Sequence, residues 1–308
     1  MQTILGSGGA IGTELAKSLK YYTSSIRLVA RNPKKVNDTD ELVKADLLLA
    51  SDVDKAVEGS KICYLVVGLL YTTKLWQEKW PLLIKNVVDA CIKHNCKLVF
   101  FDNIYAIGGD NVKHISETSP VSPCSKKGEV RAEVDKIILD AINSGKLSAI
   151  IARAPDFFGP IKETSMLMIM VYDNLKKGKK AQWLCGTNFI HSTGYAPELA
   201  KGTAMLGNDN LCYNQIWNLP VCQDKITGQD WVNLFATELK ASNKISVLPS
   251  FGLKILGWFI PVLGEIYEMR YQYDRDYFFD STKFNNHFKY TPISNRQAVL
   301  ETLKSLNH

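Results

Sequence analysis

The sequence predicts an α/β fold, a doubly wound parallel sheet followed by a smaller C-terminal α/β cap. Three observations carry that expectation. Apolar runs of strand length alternate with stretches of helical periodicity through the first half of the chain. Several of those runs are apolar at almost every position, the pattern of strands buried on both faces. A length of 308 residues suits two domains at ~150 residues each. Residues 1–160 are therefore expected to form the sheet domain and 161–308 the cap, with segments of the cap returning to the sheet.

The elements follow in order. Thr3-Ile4-Leu5 is a first strand ending in glycines, and Ala10 to Tyr21 is a helix with Ile11, Leu15, Ala16 and Leu19 on one face. Ile26 to Ala30 is the second strand, and a third is expected near Leu47–Leu49, with a helix over Asp52 to Glu58. Ile62 to Val67 is a nearly unbroken apolar strand. Pro81 to His94 reads as a helix with Pro81 in its first turn. Leu98–Phe101, a helix from Glu129 to Ile142 and a strand from Leu147 to Ala152 complete the alternation. Beyond Pro160 helices are expected at Ser165–Lys176, Pro197–Leu206, Gly228–Leu239, Gly252–Tyr273 and Ser294–Leu306, with strands near Gln182–Leu184 and Ile216–Leu219.

Gly6-Ser7-Gly8-Gly9-Ala10-Ile11-Gly12 follows the first strand and opens the first helix. Glycines at 6, 9 and 12 permit a tight turn, a close approach of backbone amides to a pyrophosphate, and packing of helix on strand. The helix N-terminus adds free N–H groups and about half a positive charge. The fold is therefore expected to be of the Rossmann type, with Gly6, Ser7, Gly9, Ala10, Ile11 and Gly12 at a dinucleotide. The second strand runs into Ala30-Arg31-Asn32-Pro33-Lys34-Lys35, with no acid before Asp38. An acid there would accept the ribose 2′-hydroxyl of NAD, whereas Arg31, beside Asn32, can grip a 2′-phosphate. NADP is expected over NAD.

Composition excludes several other classes. Hydrophobic residues at 46% and charged residues at 22% are those of a globular chain, not a disordered one. The net charge of +6 is scattered, and nucleic-acid binding needs a clustered basic face, so no nucleic-acid partner is expected. The seven cysteines are read as reduced thiols in a cytoplasmic protein, because no basic and apolar leader opens the sequence. Cys91, His94 and Cys96 match no zinc spacing, and no metal is expected. The apolar stretch Phe251–Leu263 is shorter than the ~20 residues of a membrane span and reads as a buried or partner-facing segment, with no membrane partner.

In order along the chain, these residues resemble the short-chain dehydrogenase/reductase superfamily in its extended or atypical branch, the NAD(P)-dependent epimerase/dehydratase-like proteins. The resemblance runs nearly end to end. It is carried by the glycine loop, Ala45-Asp46-Leu47, Val66-Val67-Gly68, Asn86, Val99 to Gly108, Arg153-Ala154-Pro155-Asp156-Phe157-Phe158-Gly159-Pro160 and Pro197-Glu198-Leu199-Ala200. It implies that Asp46 and Leu47 lie by the adenine, Val66, Val67 and Gly68 by the ribose, and Ala154 and Phe157 by the nicotinamide. It implies a small-molecule substrate, with Asp156 and Phe158 as candidate contacts, and a homodimer as the expected assembly; Asp102 reads either as a substrate contact or as a turn acceptor.

The superfamily's Ser, Tyr and Lys set is degenerate here. The serine position carries Asn103, Lys127 stands at the lysine, and Pro123 stands where the Y-x-x-x-K tyrosine belongs. Tyr172 to Lys176 is the chain's Y-x-x-x-K but lies beyond the Phe-Gly-Pro block, so it is set aside. Tyr105, two residues beyond Asn103 in the loop after a strand's carboxyl end, is the candidate acid/base. A phenol titrates near 10 and needs a cation nearby to work at neutral pH. Lys127 can supply it and also hold the nicotinamide ribose, and Asn103 can hold a carbonyl oxygen. The bland readings stand beside these: Tyr105 packs, Asn103 caps the strand end, and Lys127 is solvated. The expected function is NADP(H)-dependent oxidoreductase or epimerase/dehydratase-like hydride transfer at a carbonyl or alcohol carbon. A non-catalytic NADP(H) sensor or scaffold is the rival, motivated by the missing tyrosine, and a nucleotide-sugar epimerase is the third reading.

Overall fold

The computed structural model of the chain describes residues 1–161 and 165–306. The elements run β1 (Gln2–Leu5), α1 (Ala10–Leu19), β2 (Ile26–Ala30), β3 (Glu41–Lys44), α2 (Ala50–Val57), β4 (Ile62–Leu65), α3 (Thr73–Lys93), β5 (Lys97–Asp102), α4 (Lys126–Asn143) and β6 (Ala149–Arg153). They continue with β7 (Phe157–Phe158), α5 (Asp173–Lys176), β8 (Ala181–Leu184), β9 (Gly194–Tyr195), α6 (Ala196–Gly207), β10 (Gln215–Asn218), α7 (Gly228–Leu239), β11 (Ile245–Leu248), α8 (Ser250–Gly257), α9 (Pro261–Glu268), α10 (Thr282–Phe288) and α11 (Asn295–Leu306).

These elements fall into two units, neither a continuous stretch. The first is Met1–Ala106, Lys127–Ala154 and Pro197–Leu219; the second is Ile107–Lys126, Pro155–Ala196 and Pro220–His308. The expectation was a boundary at 160 with segments of the cap returning to the sheet; Pro197–Leu219 groups with the first unit.

The first unit holds a seven-stranded sheet in the order β3-β2-β1-β4-β5-β6-β10, with every neighbouring pair parallel. This is the doubly wound order, with its reversal between β1 and β4, where ligands bind beyond the strands' carboxyl ends. Ile4, Leu5, Leu28, Val29, Leu65, Val99, Phe100, Ile150 and Ile151 are buried, as strands covered on both faces require.

The third strand is Glu41–Lys44, not the expected Leu47–Leu49. It is an edge strand, largely exposed, so it carries no apolar run. Leu47 covers the core from the loop that follows. α3 begins at Thr73 and takes Pro81 into its interior, where the ring costs one backbone hydrogen bond. The stripe Trp76, Trp80, Leu83, Ile84, Val87 and Cys91 is buried along one face and carries the helix through the proline.

The second unit is built on the pair β8–β11 and on β7–β9. Its core gathers Phe158, Tyr172, Trp183, Trp231 and Phe235. The helix leading into α5 passes through a π-helical turn at Met168–Tyr172. The long helix expected over Gly252–Tyr273 is broken into α8, α9 and a short 3-10 turn. Pro261 stands at the first position of α9, where its missing N–H costs nothing, and marks the break from α8. Of the two readings of the apolar segment there, buried or partner-facing, burial does not hold: Phe251, Trp258 and Phe259 are 74%, 74% and 77% exposed. Among the described residues no helix is long and apolar enough to cross a membrane.

Candidate active site

The glycine loop is shaped by two contacts. A Cβ on Gly6 would lie 2.7 Å from the Val67 Cα, and Gly6 has φ +96°, so only glycine fits. A Cβ on Gly12 would lie 2.6 Å from the Gly6 carbonyl oxygen, so α1 can approach β1 only without a side chain there. Gly9 differs. Its backbone is extended, with φ −85° and ψ 173°, and the nearest atom to an added Cβ is 3.7 Å away. Nothing in the chain itself demands glycine at this position. No side chain caps the N-terminus of α1, so its first-turn amides face an open cradle of the kind a pyrophosphate fills. The residues therefore fit a dinucleotide.

Of the rest of the expected cofactor set, all but Phe157 belong to the first unit. Ser7 is buried, and both its amide and its Oγ donate to the Val29 carbonyl, at 3.2 and 3.3 Å, so its side chain serves the loop's own structure. Ala10 and Ile11 are buried in the first turn of α1. Val66 donates its amide to the Leu5 carbonyl at 2.9 Å, carrying the sheet pairing into the Val66-Val67-Gly68 segment. Asp46 Oδ1 accepts from the Leu48 amide at 3.0 Å, and Asn86 Nδ2 donates to the Leu47 carbonyl at 3.1 Å, fixing the segment expected at the adenine. Arg31 and Asn32 are exposed just beyond β2. Asp40 is buried and spent on the amides of Val36 and Asn37 at 3.1 and 2.6 Å, while Asn37 Nδ2 ties the loop to the Ala16 carbonyl.

At the carboxyl end of β5, Asn103 Oδ1 accepts from the Tyr105 amide at 2.9 Å, which turns the Tyr105 ring. That ring stacks on Trp76, 5.9 Å between centroids and 17° between planes. Its hydroxyl lies 3.4 Å from the hydroxyl of Tyr71. Lys127 in the first turn of α4 is 0% exposed, so it is not a solvated lysine. Its Nζ donates to Thr73 Oγ1 at 3.1 Å and stands over the Tyr71 ring, 4.7 Å from the centroid. Asn103 thus meets Tyr105, and Lys127 meets Tyr71 and Thr73, which the sequence reading passed over; Tyr71 is the link between them. Setting the start of α3 at Pro81 hid both; the stripe reaching back to Trp76 was the available signal.

Beneath this edge lies a buried set of charges. Arg131 Nε donates to Asp102 Oδ1 at 2.7 Å, Arg131 Nη2 reaches the same oxygen, and the guanidinium stands 4.4 Å from the Trp80 ring centroid. Asp102, offered as a substrate contact, is 1% exposed and held in this pair. Arg153 Nη2 donates to Asp135 Oδ2 at 3.0 Å. Ala154 donates its amide to the Asp102 carbonyl at 2.9 Å, joining the exits of β5 and β6. Burial first, and then the charge of Asp102, lift the Asp135 carboxyl from 3.8 to about 8. An acid raised in the folded state holds its proton while the unfolded chain ionises. Stability is then expected to fall as pH rises from about 4 towards 8, and Asp135→Asn to flatten that fall in denaturant titrations across the range. An unchanged slope in the variant would assign the pH dependence elsewhere.

In the second unit Phe157 is half-buried on β7, whereas Phe158 is 1% exposed and packs edge-on against Trp231 at 5.3 Å. Asp156 is partly exposed; its Oδ2 accepts from the Tyr273 hydroxyl at 3.0 Å and lies 3.4 Å from His191 Nε2. The other ring nitrogen of His191 is 3.1 Å from the Gln272 carbonyl, which can only accept, so Nδ1 carries a proton. Tyr273 and Tyr277 sandwich the imidazole at 4.6 and 5.0 Å. Lys176 Nζ donates to the Tyr172 hydroxyl at 3.0 Å, so the Y-x-x-x-K set aside forms its hydrogen bond, with the Tyr172 ring in the core of this unit.

A doubly wound parallel sheet with a glycine loop between its first strand and first helix defines the Rossmann type, the fold of nicotinamide-dinucleotide enzymes. Residues 3–209 match the family model described as the NAD dependent epimerase/dehydratase family, and the chain belongs to that family. The catalytic reading therefore stands over the sensor or scaffold. No curated protein sequence matches the chain. Among solved structures the chain is similar to the Thermus thermophilus UDP-glucose 4-epimerase complex with NAD, at TM-score 0.78 and 14% identity, covering 100% of this chain and 99% of that one. It is similar to the Bacillus cereus UDP-glucuronic acid 4-epimerase in complex with NAD, at TM-score 0.79 and 14% identity over 100% and 99%. It is similar also to the Thermotoga maritima UDP-glucose 4-epimerase with UDP-glucose, at TM-score 0.79 and 14% identity over 100% and 99%. At such identity the likeness is one of fold.

Proposed function

We propose that the protein uses NADP(H) to move a hydride to or from a carbonyl or alcohol carbon of a small-molecule substrate, with Tyr105 as acid/base. The observation that supports this reading is that Asn103 holds the Tyr105 amide at the carboxyl edge of the sheet that also bears the glycine loop, while Lys127 stands against Tyr71, whose hydroxyl is 3.4 Å from that of Tyr105. The dinucleotide supplies or accepts the hydride, and the protein supplies position and the proton. Gly9 and the first turn of α1 would hold the pyrophosphate. Asn103 orients the substrate oxygen, and Tyr105 gives it a proton in reduction or takes one in oxidation. A well-placed acid/base contributes about 10²–10⁴-fold.

The test is turnover of purified protein with NADPH on aldehydes, ketones and nucleotide sugars. Tyr105→Phe is expected to cut kcat by about 10²–10⁴-fold at unchanged NADPH affinity. Tight NADPH binding without turnover on any of them would sink the reading. Interconversion of epimers without net NADPH loss would move the protein to the activity that the names of its structural neighbours carry.

NADP(H) rests on the end of β2. Arg31 is exposed there, and Asp40, the buried acid of that loop, is already spent on backbone amides. Two of the neighbours were solved with NAD, so the preference needs its own measurement. Arg31→Glu should weaken NADPH tenfold or more, about 1.4 kcal/mol, and leave NADH equal or tighter in calorimetry. Equal loss for both coenzymes would remove Arg31 from the 2′-phosphate.

A further inference from the structure

We propose that Tyr71 is the phenol that Lys127 activates, relaying a proton to Tyr105 and so standing in for the tyrosine that Pro123 replaces. This rests on the reading of Tyr105 as the acid/base and adds the group that feeds it. Tyr71 belongs to the turn between β4 and α3. That turn is braced: the Thr72 amide donates to the Leu70 carbonyl at 2.8 Å, and the Trp76 indole donates to the same carbonyl at 3.1 Å. Trp76 then meets the Tyr71 ring edge-on at 5.9 Å while stacking on Tyr105, so one side chain aligns both phenols. Lys127 faces the ring of Tyr71, and its full burial strengthens any charge interaction there.

The hydroxyl separation of 3.4 Å is longer than a formed O–H···O bond of about 2.5–3.0 Å. Contacts of this kind shorten when substrate arrives. In reduction the Tyr105 O–H bond breaks and its proton goes to the substrate oxygen. The Tyr71 proton then passes to the Tyr105 oxygen, and the negative charge comes to rest on the Tyr71 oxygen, on the ring that Lys127 faces. Water gives a proton to the Tyr71 oxygen at the end of the cycle and leaves as hydroxide to the solvent, so that reduction consumes one solvent proton, and the reverse sequence serves oxidation. Tyr71 is a positioning residue in this scheme, because it acts through Tyr105.

The test needs no substrate. Tyrosinate absorbance is followed through an alkaline titration of the whole protein and its variants. Tyr71→Phe keeps the ring and its packing, so its thermal midpoint should hold, and the first phenol to ionise should be lost. Lys127→Met should move that first step up by one pH unit or more, and Tyr105→Phe should keep it. Survival of the first step in Tyr71→Phe, or its loss in Tyr105→Phe alone, overturns the relay. Neither result bears on whether Tyr105→Phe abolishes turnover, so the relay and the reading it rests on fail separately. With an active carbonyl substrate, Tyr71→Phe should shift the pH profile of kcat while leaving KM near wild type; a uniform drop at every pH would indicate a packing role.

Discussion

Arg131→Met should lower stability by about 3–5 kcal/mol, a drop of roughly 6–20 °C in Tm at 2–4 °C per kcal/mol. Arg131 and Asp102 are 2% and 1% exposed, and Asp102 Oδ2 has no hydrogen-bond partner among the described residues. Removing the guanidinium strands a carboxylate in the core beneath Trp80 and Phe100. A buried pair of this kind is worth little net against an apolar replacement, but half of one is costly. The double variant Asp102→Asn with Arg131→Met should therefore recover much of the loss, a coupling readable from denaturant unfolding of the four proteins. If Arg131→Met unfolds within about 1 kcal/mol of wild type, the pair holds nothing. The effect also reaches the chemistry. Asp102 immediately precedes Asn103, and Arg131 lies one helical turn beyond Lys127 on α4. The pair thus joins the two elements that carry Asn103 and Lys127.

The parts of this arrangement that sequence made readable share a physical property: they are local. The glycine loop is seven residues whose constraints act within the loop and on the next strand, and the structure assigns Gly6 and Gly12 the steric roles that spacing implied. Strands buried on both faces show as apolar runs, so β1, β2, β4, β5 and β6 were legible. β3 was not, because an edge strand half in water needs no apolar run. The start of α3 was misplaced because Pro81 looked like a first-turn residue, and with it Tyr71 and Thr73 were missed. The Asp102–Arg131 and Asp135–Arg153 pairs join residues separated along the chain, and only the parallel register of β5 with β6 brings Asp102 level with Arg153. Long-range charge pairing leaves no periodic trace. The second unit was read least well, since its short strands β7, β9 and β11 have neither length nor alternation to show.

The sharpest test of the cofactor cradle is a substitution that should help the protein fold and harm its function. Gly9→Ser places at the N-cap of α1 a residue type that caps helices, with an oxygen able to accept a first-turn N–H. The extended backbone at Gly9 suits serine, and its Cβ meets nothing nearer than the Gly6 carbonyl at 3.7 Å. Tm should hold or rise slightly. Dinucleotide affinity should fall tenfold or more, at least about 1.4 kcal/mol, because the side chain fills the space and takes the amide that a phosphate oxygen would use. Gly12→Ala is the control with the opposite logic. Its methyl would press on the Gly6 carbonyl at 2.6 Å, so stability should drop by about 1–3 kcal/mol whether or not coenzyme is present. A glycine kept for packing fails in both assays, and a glycine kept for a ligand fails only in binding. Wild-type affinity for both coenzymes in Gly9→Ser would show that the cradle does not hold the pyrophosphate, whatever the fold around it.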